Sequence, residues 1–523
     1  MNELIMSLLV LTIPVSLIIS AYNVGVKTQS SNGKHLYYLL IANACLLVSV
    51  AVAHTVFSFT PFPFLSLSPT RLIMLALIMF IGISLVKFCQ NYMAGEPRIN
   101  YFWRWLLTTL SAVTLVVISN HLMLFWLGWL CISLALHQLL MFYPNRPRAA
   151  LAAHKKFIVA RLAESCLLLA FVLLYIVHNS WLISDISLAY SNNVGPLSAS
   201  EQLAAVLIAI AALIKCAQLP LHGWLIQVVE APTPVSALLH AGVINLGGFL
   251  LILFAPLFMQ ATVAQWLVLV VAGLTTVISA LVMTTRVSVK VRLAWSTSAQ
   301  MGLMLLECAL GLFELALLHL VTHSMYKAYA FLNAGNAITE DINRRHAPEH
   351  TPSASHWLLG VSISSVITGL AWYFSDYNGA VSIWLLLAGA LAILIATKHG
   401  KSQGTIFIPM IIIASLATLS YISLKAFFTL AIGTTAWREA AFSPADNWAI
   451  LLIVALIGFS YVLKNQSQHP RVKALSTLLF AGLYLDEWFT RLTLKIWPIR
   501  LPVNAHTNTK NHTKIVTILE SKS

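Results

Sequence analysis

Apolar runs of about twenty residues recur along almost the whole chain, separated by short polar breaks. A helix of that length rises about 30 Å, the thickness of a bilayer's hydrocarbon core. On that measure the pattern predicts about fifteen crossings. They lie near 3–21, 36–55, 71–91, 102–119, 121–142, 157–178, 203–228, 234–258, 264–285, 293–311, 313–336, 356–374, 381–397, 406–433 and 447–464. The runs are rich in Leu and Ala and lack strand-like alternation, so they read as helices rather than barrel strands. The predicted fold class is an all-α, polytopic membrane helix bundle. Two runs are atypical, because 203–228 contains Pro220 and 406–433 is overlong and contains Lys425. Either suits a broken helix.

The basic residues test this count. Loops after odd-numbered crossings hold Lys27 and Lys34; Arg98; Arg146, Arg148, Lys155 and Lys156; Arg286, Lys290 and Arg292; Arg344 and Arg345; Lys398 and Lys401; and Lys464, Arg471 and Lys473. After even-numbered crossings, Asn120 and the stretches 179–202 and 259–263 carry neither Lys nor Arg. The positive-inside rule then puts the odd loops in the cytoplasm of a bacterial inner membrane and the amino terminus in the periplasm.

Composition agrees. The 523 residues are 59% apolar and 9% charged, against about a quarter charged in soluble chains. The net charge of +14 is spread through the loops and forms no stripe or motif of the nucleic-acid-binding kind. The six cysteines lie in apolar stretches without CxxC spacing, which argues against a disulfide framework or an iron–sulfur cluster. The first residues lack a basic n-region and cleavage site, so they read as a membrane helix rather than a signal peptide. Beyond the last crossing, 472–498 mixes apolar residues with Lys473, Asp486, Glu487, Arg491 and Lys495. That mixture suits an amphipathic helix on the membrane surface or against a partner. A polar tail follows from Arg500.

Charged and titratable residues inside the apolar runs are the candidate chemistry, because intramembrane charge is unfavourable and marks function by default. Lys215 sits five residues before Pro220, whose ring frees backbone carbonyls that must face protein or a watery cavity. A lysine there can exchange protons; the competing reading is a side chain snorkelling to the interface. Arg161 and Glu164 are three residues apart on one helical face. They form either a permanent structural pair or one whose partner can be exchanged for Lys215. His240 follows the Pro232 and Pro234 pair and is either a satisfied core histidine or a relay. His319, His323 and Lys327, spaced by four and four, stack on one face over two turns. A zinc site is the alternative, disfavoured by the missing third ligand and the nearby ammonium. Glu307 is a candidate acidic partner for that cluster, and Lys290 sits at the cytoplasmic mouth as either a path residue or a topological charge. Phosphate loops, dinucleotide fingerprints, nucleophile elbows and paired catalytic carboxylates are absent. No cofactor is expected in this chain.

The segments Lys215-Cys-Ala-Gln-Leu-Pro-Leu-His-Gly-Trp-Leu225 and Glu230-Ala-Pro-Thr-Pro-Val-Ser-Ala-Leu-Leu-His240 closely resemble the proton-translocating antiporter-like subunits. These include the L/5 subunit of respiratory complex I and the large Mrp antiporter subunits. The resemblance continues through Leu293-Ala-Trp-Ser-Thr-Ser-Ala-Gln-Met-Gly302 and His319-Leu-Val-Thr-His-Ser-Met-Tyr-Lys-Ala328, covering roughly residues 100–340. It implies two inverted five-helix repeats with broken, lysine-bearing helices. The chain then divides into N-terminal helices 1–100, a first repeat 101–258, a degenerate second repeat 259–400, C-terminal helices 401–465 and an amphipathic end 466–523. By the same resemblance Lys215 is the broken-helix lysine, His240 its neighbour, and His319, His323 and Lys327 the connecting polar path. The family's Trp-Glu-Gly glutamate is missing, since Trp126-Leu-Gly-Trp-Leu130 stands there, and no Lys-Asp-Glu segment occurs around 356–397. The trimmed pattern is most similar to the membrane subunits of DAB-type inorganic-carbon uptake complexes. That implies a proton or other monovalent cation as cargo and a DabA-like, zinc-containing partner that hydrates CO2 to bicarbonate. A redox-complex pump subunit and an Mrp-type antiporter subunit are the alternatives.

Overall fold

The computed structural model describes residues 2–24, 29–143, 145–193, 195–346, 354–375, 379–397, 407–432, 439–466 and 468–498. The loop positions Lys27, Lys398 and Lys401, and the tail from Arg500, lie outside the described residues. Among those described, helices dominate, and the only β-type pairings are isolated bridges, Leu65 with Ser119 and His121 with Leu182. Among the described residues eleven helices are long and apolar enough to cross a membrane, each matching a predicted crossing. The other four predicted crossings are also helical. Ala199–Lys215, Val289–Ala309, Phe313–Leu332 and Ser382–Thr397 are shorter or more polar.

Burial orders the bundle. In the most apolar window of Thr233–Leu253, 89% of residues are buried, against 17% in Ile408–Leu430. The first span is therefore central, whereas the second turns Ile412, Leu416, Leu419 and Leu430 outward as a lipid-facing helix does. Helices approach closely where small residues face one another. A Cβ at Gly247 would stand 2.7 Å from Ala212 O, and one at Gly302 would stand 2.7 Å from Ala272 O. Buried Arg71 donates to Val117 O at 2.8 Å and to Ser119 O, satisfying carbonyls at the end of Ile99–Ile118 that helix geometry leaves unpaired.

Several expectations are corrected. Phe407–Ile432 is one continuous helix: Lys425 is polar but, unlike proline, removes no backbone hydrogen bond. The loop 179–202 contains a helix, Ile183–Asn192. Lys155 and Lys156 are buried inside a 32-residue helix, Pro147–His178, and are not loop charges. The amphipathic end is two helices, Pro470–Phe480 and Glu487–Ile496. Gly482, Leu483 and Tyr484 separate them with φ of 68°, 57° and 55°, left-handed values that end a helix.

Candidate proton path

The break in the seventh crossing is built by its neighbours. Ala199–Lys215 starts with a capping box, Ser198 and Glu201 each closing on the other's backbone. It ends at Lys215, and Ala217 turns left-handed at φ 50°, a conformation worth roughly 1–2 kcal/mol against a non-glycine residue. The peptide groups released there find side chains. Ser298 Oγ donates to Ala217 O at 3.0 Å, Gln218 Nε2 to Cys216 O at 2.8 Å, and Leu219 N–H to Thr275 Oγ1 at 3.1 Å. Leu219–Pro220 is cis, and the chain resumes as Gly223–Gln227.

Lys215 projects from this break with its Nζ 4.4 Å from the ring centroid of Trp129, a cation–π geometry. It faces a cavity of about 30 Å³, lined among others by Lys156, Glu164, Trp224 and Ile244. That volume admits about one or two waters. Glu164 is engaged by Arg161, whose guanidinium donates to both carboxylate oxygens at 2.9 and 2.8 Å. Arg161 also donates to Ser133 Oγ at 2.8 Å, and Lys156 Nζ donates to Ser133 O at 2.5 Å and Ser133 Oγ at 3.1 Å. Three basic side chains thus share one carboxylate. Ser133, Lys156 and Trp129 are members that sequence reasoning missed.

The second cluster lies across the central span. His240 is fully buried, its Nδ1 3.1 Å from Thr297 Oγ1 and its ring stacked 4.4 Å from Phe331. Lys327 is also fully buried and donates to Leu293 O at 2.9 Å. His323 lies within electrostatic reach of Lys327, His319 and His240, and the His319 and His323 rings are 6.1 Å apart. His319 Nδ1 is 3.1 Å from both Glu307 oxygens, and its Nε2 is 2.9 Å from Gln300 Oε1. Because Gln300 Oε1 is an acceptor, Nε2 carries a hydrogen. Nδ1 then either accepts from a protonated Glu307 or, in imidazolium, donates to its carboxylate. Moving the proton between the two needs no rotation.

The segment 233–246 joins the clusters. Val243 and Ile244 wall the Lys215 cavity, while His240 reaches Thr297 and Asn245 Nδ2 donates to Ser324 Oγ at 2.6 Å. Gln218 Oε1, Ser236 Oγ, His240 Nε2, Asn245 Oδ1 and His323 Nε2 are buried without a protein hydrogen-bond partner. Pro232 and Pro234 open the His240 helix. Lys290 is not brought into either cluster: it donates to Thr233 Oγ1 at 2.8 Å at that helix's start, where Tyr92 OH also sits 3.0 Å away. Among the described residues no group of three His, Cys, Asp or Glu is arranged to hold a metal.

The C-terminal helices dock on this machinery. Asp486 accepts from Lys155 Nζ at 2.6 Å and from Gln227 Nε2 at 2.8 Å, while Thr490 Oγ1 accepts from Lys155 at 2.6 Å. A Cβ at Gly223 would fall on Asp486 Oδ1, so the close approach requires glycine at the resumption of the broken helix. Trp497 stacks on His154 at 3.7 Å.

The chain is similar to known proteins over this region. Residues 119–351 match the family model described as NADH:quinone oxidoreductase/Mrp antiporter, TM. A probable inorganic carbon transporter subunit DabB of Hydrogenovibrio crunogenus is 50% identical over 83% of this chain and 84% of its own length. DabB2 of Halothiobacillus neapolitanus, also named a probable inorganic carbon transporter subunit, is 37% identical over 82% and 79%. The solved Mrp complex from Dietzia sp. DQ12-45-1b contains a chain of the same fold, with a TM-score of 0.60 at 19% identity. The match covers 96% of this chain but 64% of that one, less than two thirds of its length.

Proposed function

The chain belongs to the DabB family of inorganic carbon transporter subunits, and from that membership we propose that it is the proton-conducting membrane part of an inorganic-carbon uptake complex. It is a multi-pass membrane subunit of the cation-transport type, a transport component rather than an enzyme. In this reading it lies in a bacterial inner membrane with its amino terminus in the periplasm, and 101–258 and 259–400 act as two repeats. Protons moving down their gradient release about 2.3 kcal/mol per 100 mV of membrane potential. That energy drives one-way hydration of CO2 to bicarbonate on a DabA-like partner, where the zinc and the hydration chemistry reside.

The observation that carries this reading is the pair of clusters joined by the segment 233–246: Glu164 and half-buried Lys215 on one side, and His240, Lys327, His323, half-buried His319 and Glu307 on the other. A charge at the bilayer centre costs roughly 2.5–3.5 kcal/mol on insertion scales. Yet Lys215 stands over the Trp129 ring and Lys327 donates to a backbone carbonyl. A purely structural pair would place a carboxylate against each. The unpartnered polar atoms between the clusters suit hydration, since a buried polar group left dry costs about 1–3 kcal/mol.

The test is proton flux into liposomes carrying the full chain, with and without its partner. Lys215→Ala should abolish the flux and should prevent rescue of growth at low CO2. Flux within about twofold of the unsubstituted protein would remove Lys215 from the path, because a working relay group contributes at least about a hundredfold. Dependence of the flux on sodium would favour an antiporter instead.

A further inference from the structure

The conduction reading leaves open where the second cluster reaches water, and the inference drawn here rests on that reading. Glu307 lies in the last turn of Val289–Ala309, about 27 Å by helix rise from the end bearing Lys290 and Arg292. His319 lies about 9 Å into Phe313–Leu332, which starts at that same far face after the Leu310–Leu312 turn. The Glu307–His319 pair is therefore near the membrane face opposite Lys290.

It is not sealed there. Glu307, His319 and Thr322, together with the apolar Leu315 and Leu318, form one wall of a cavity of about 460 Å³. The opposite wall is Phe407–Ile432, which presents Ala417, Ser420, Tyr421 and Leu424. Spacings of three, one and three put those four on one helix face. Ser420 and Tyr421 thus give two polar groups to this wall beside Ala417 and Leu424. Lipid tails offer a carboxyl–imidazole pair no hydrogen bond, so a lipid-filled crevice at this place would be unfavourable.

We propose that this pocket is the aqueous mouth of the second half of the path, with Glu307 as the group that exchanges protons with its water. A protonated Glu307 gives its O–H proton to His319 Nδ1, and the carboxylate so formed takes a proton from hydronium in the pocket. The reverse sequence discharges a proton. Gln300 holds the Nε2 hydrogen of His319 while Nδ1 is loaded from the acid; release of Nε2 from Gln300 then lets the imidazolium pass that hydrogen, through water, toward His323.

Thiol chemistry tests the mouth independently of conduction, because alkylthiosulfonate reagents require the thiolate that forms in water. The full chain is placed in oriented membrane vesicles with Cys45, Cys131 and Cys166 replaced by alanine. Single cysteines are then introduced as Thr322→Cys, Ala417→Cys and, as the outward-facing control at the same depth, Leu416→Cys. A charged, membrane-impermeant methanethiosulfonate added at the face opposite Lys290 should label the first two at least about tenfold faster than the control. Labelling no faster than the control overturns the mouth, whether lipid or another subunit fills the pocket, as does labelling from the Lys290 face alone. In parallel, Glu307→Gln should lower proton flux at least about tenfold while leaving Ala417→Cys labelling unchanged. Unchanged flux overturns the role of Glu307. Flux without pocket labelling sinks the mouth and spares conduction, whereas labelling without flux in the unsubstituted chain sinks conduction itself.

Discussion

Gly223→Ala should undock the C-terminal helices from the broken helix. The added methyl group occupies the position of Asp486 Oδ1, so the carboxylate must leave and take its contacts to Lys155 and Gln227 with it. The Lys155 side chain is 0% exposed and that of Asp486 27% exposed. Removing one partner from a fully buried pair costs about 3–5 kcal/mol. Partial exposure of Asp486 lets water recover some of this, leaving about 2–4 kcal/mol. At 1.36 kcal/mol per factor of ten, the undocked population rises roughly 30- to 1000-fold. Arg491 and Lys495 are exposed on Glu487–Ile496, the helix that follows Asp486. Trypsin cleavage there follows the open population when opening is fast relative to cutting. Cleavage in Gly223→Ala should therefore speed up by at least about 30-fold. Gly458→Ala, where a Cβ meets nothing within 4 Å, should behave like the parent. Combining Lys155→Met with Asp486→Leu should lose much less than either single change, because no buried charge is then left unpaired. Equal cleavage of Gly223→Ala and the parent would refute the proposed fit.

Ser133→Ala removes the hydroxyl shared by Arg161 and Lys156 and should lower stability by about 1–3 kcal/mol, read as a fall in the melting temperature of the purified protein. An unchanged melting temperature would mean that water replaces the hydroxyl. Thr297→Val keeps the shape beside His240 but removes its Nδ1 partner. Proton flux should fall while Ala417→Cys labelling and folding persist, and an unaltered flux would show that His240 is a core residue only.

The broken helix was legible because its signals are local: Pro220 stops the backbone ladder and Lys215 marks the stop with a charge. The stacking of His319, His323 and Lys327 is legible from helix periodicity, whereas the choice of Glu307 as its acid is not, because Glu314 is nearer in sequence. The first cluster was harder. Lys156 follows a loop rich in Arg and Lys and was counted with it. The signal against that was Pro147, which suits a helix's first turn and places Lys155 and Lys156 two turns inside. Ser133 and Trp129 carry no such mark, since their roles arise from how Leu122–Leu140 packs on its neighbours. The reading of 472–498 as one helix passes over Gly482, whose left-handed backbone divides it in two. That its second half closes on Gly223 depends on two positions more than 250 residues apart, which no local pattern encodes.

The adjacent lysines of Pro147–His178 restrict how this protein can move. Successive residues on a helix point about 100° apart, and here one ammonium is committed to Asp486 while the next is committed to Ser133. Turning the helix about its axis by a single residue would strand both ammonium groups in apolar surroundings. It must therefore act as a fixed post. In the proposed conduction cycle, movement therefore falls to side-chain swings and not to rotation of this rod.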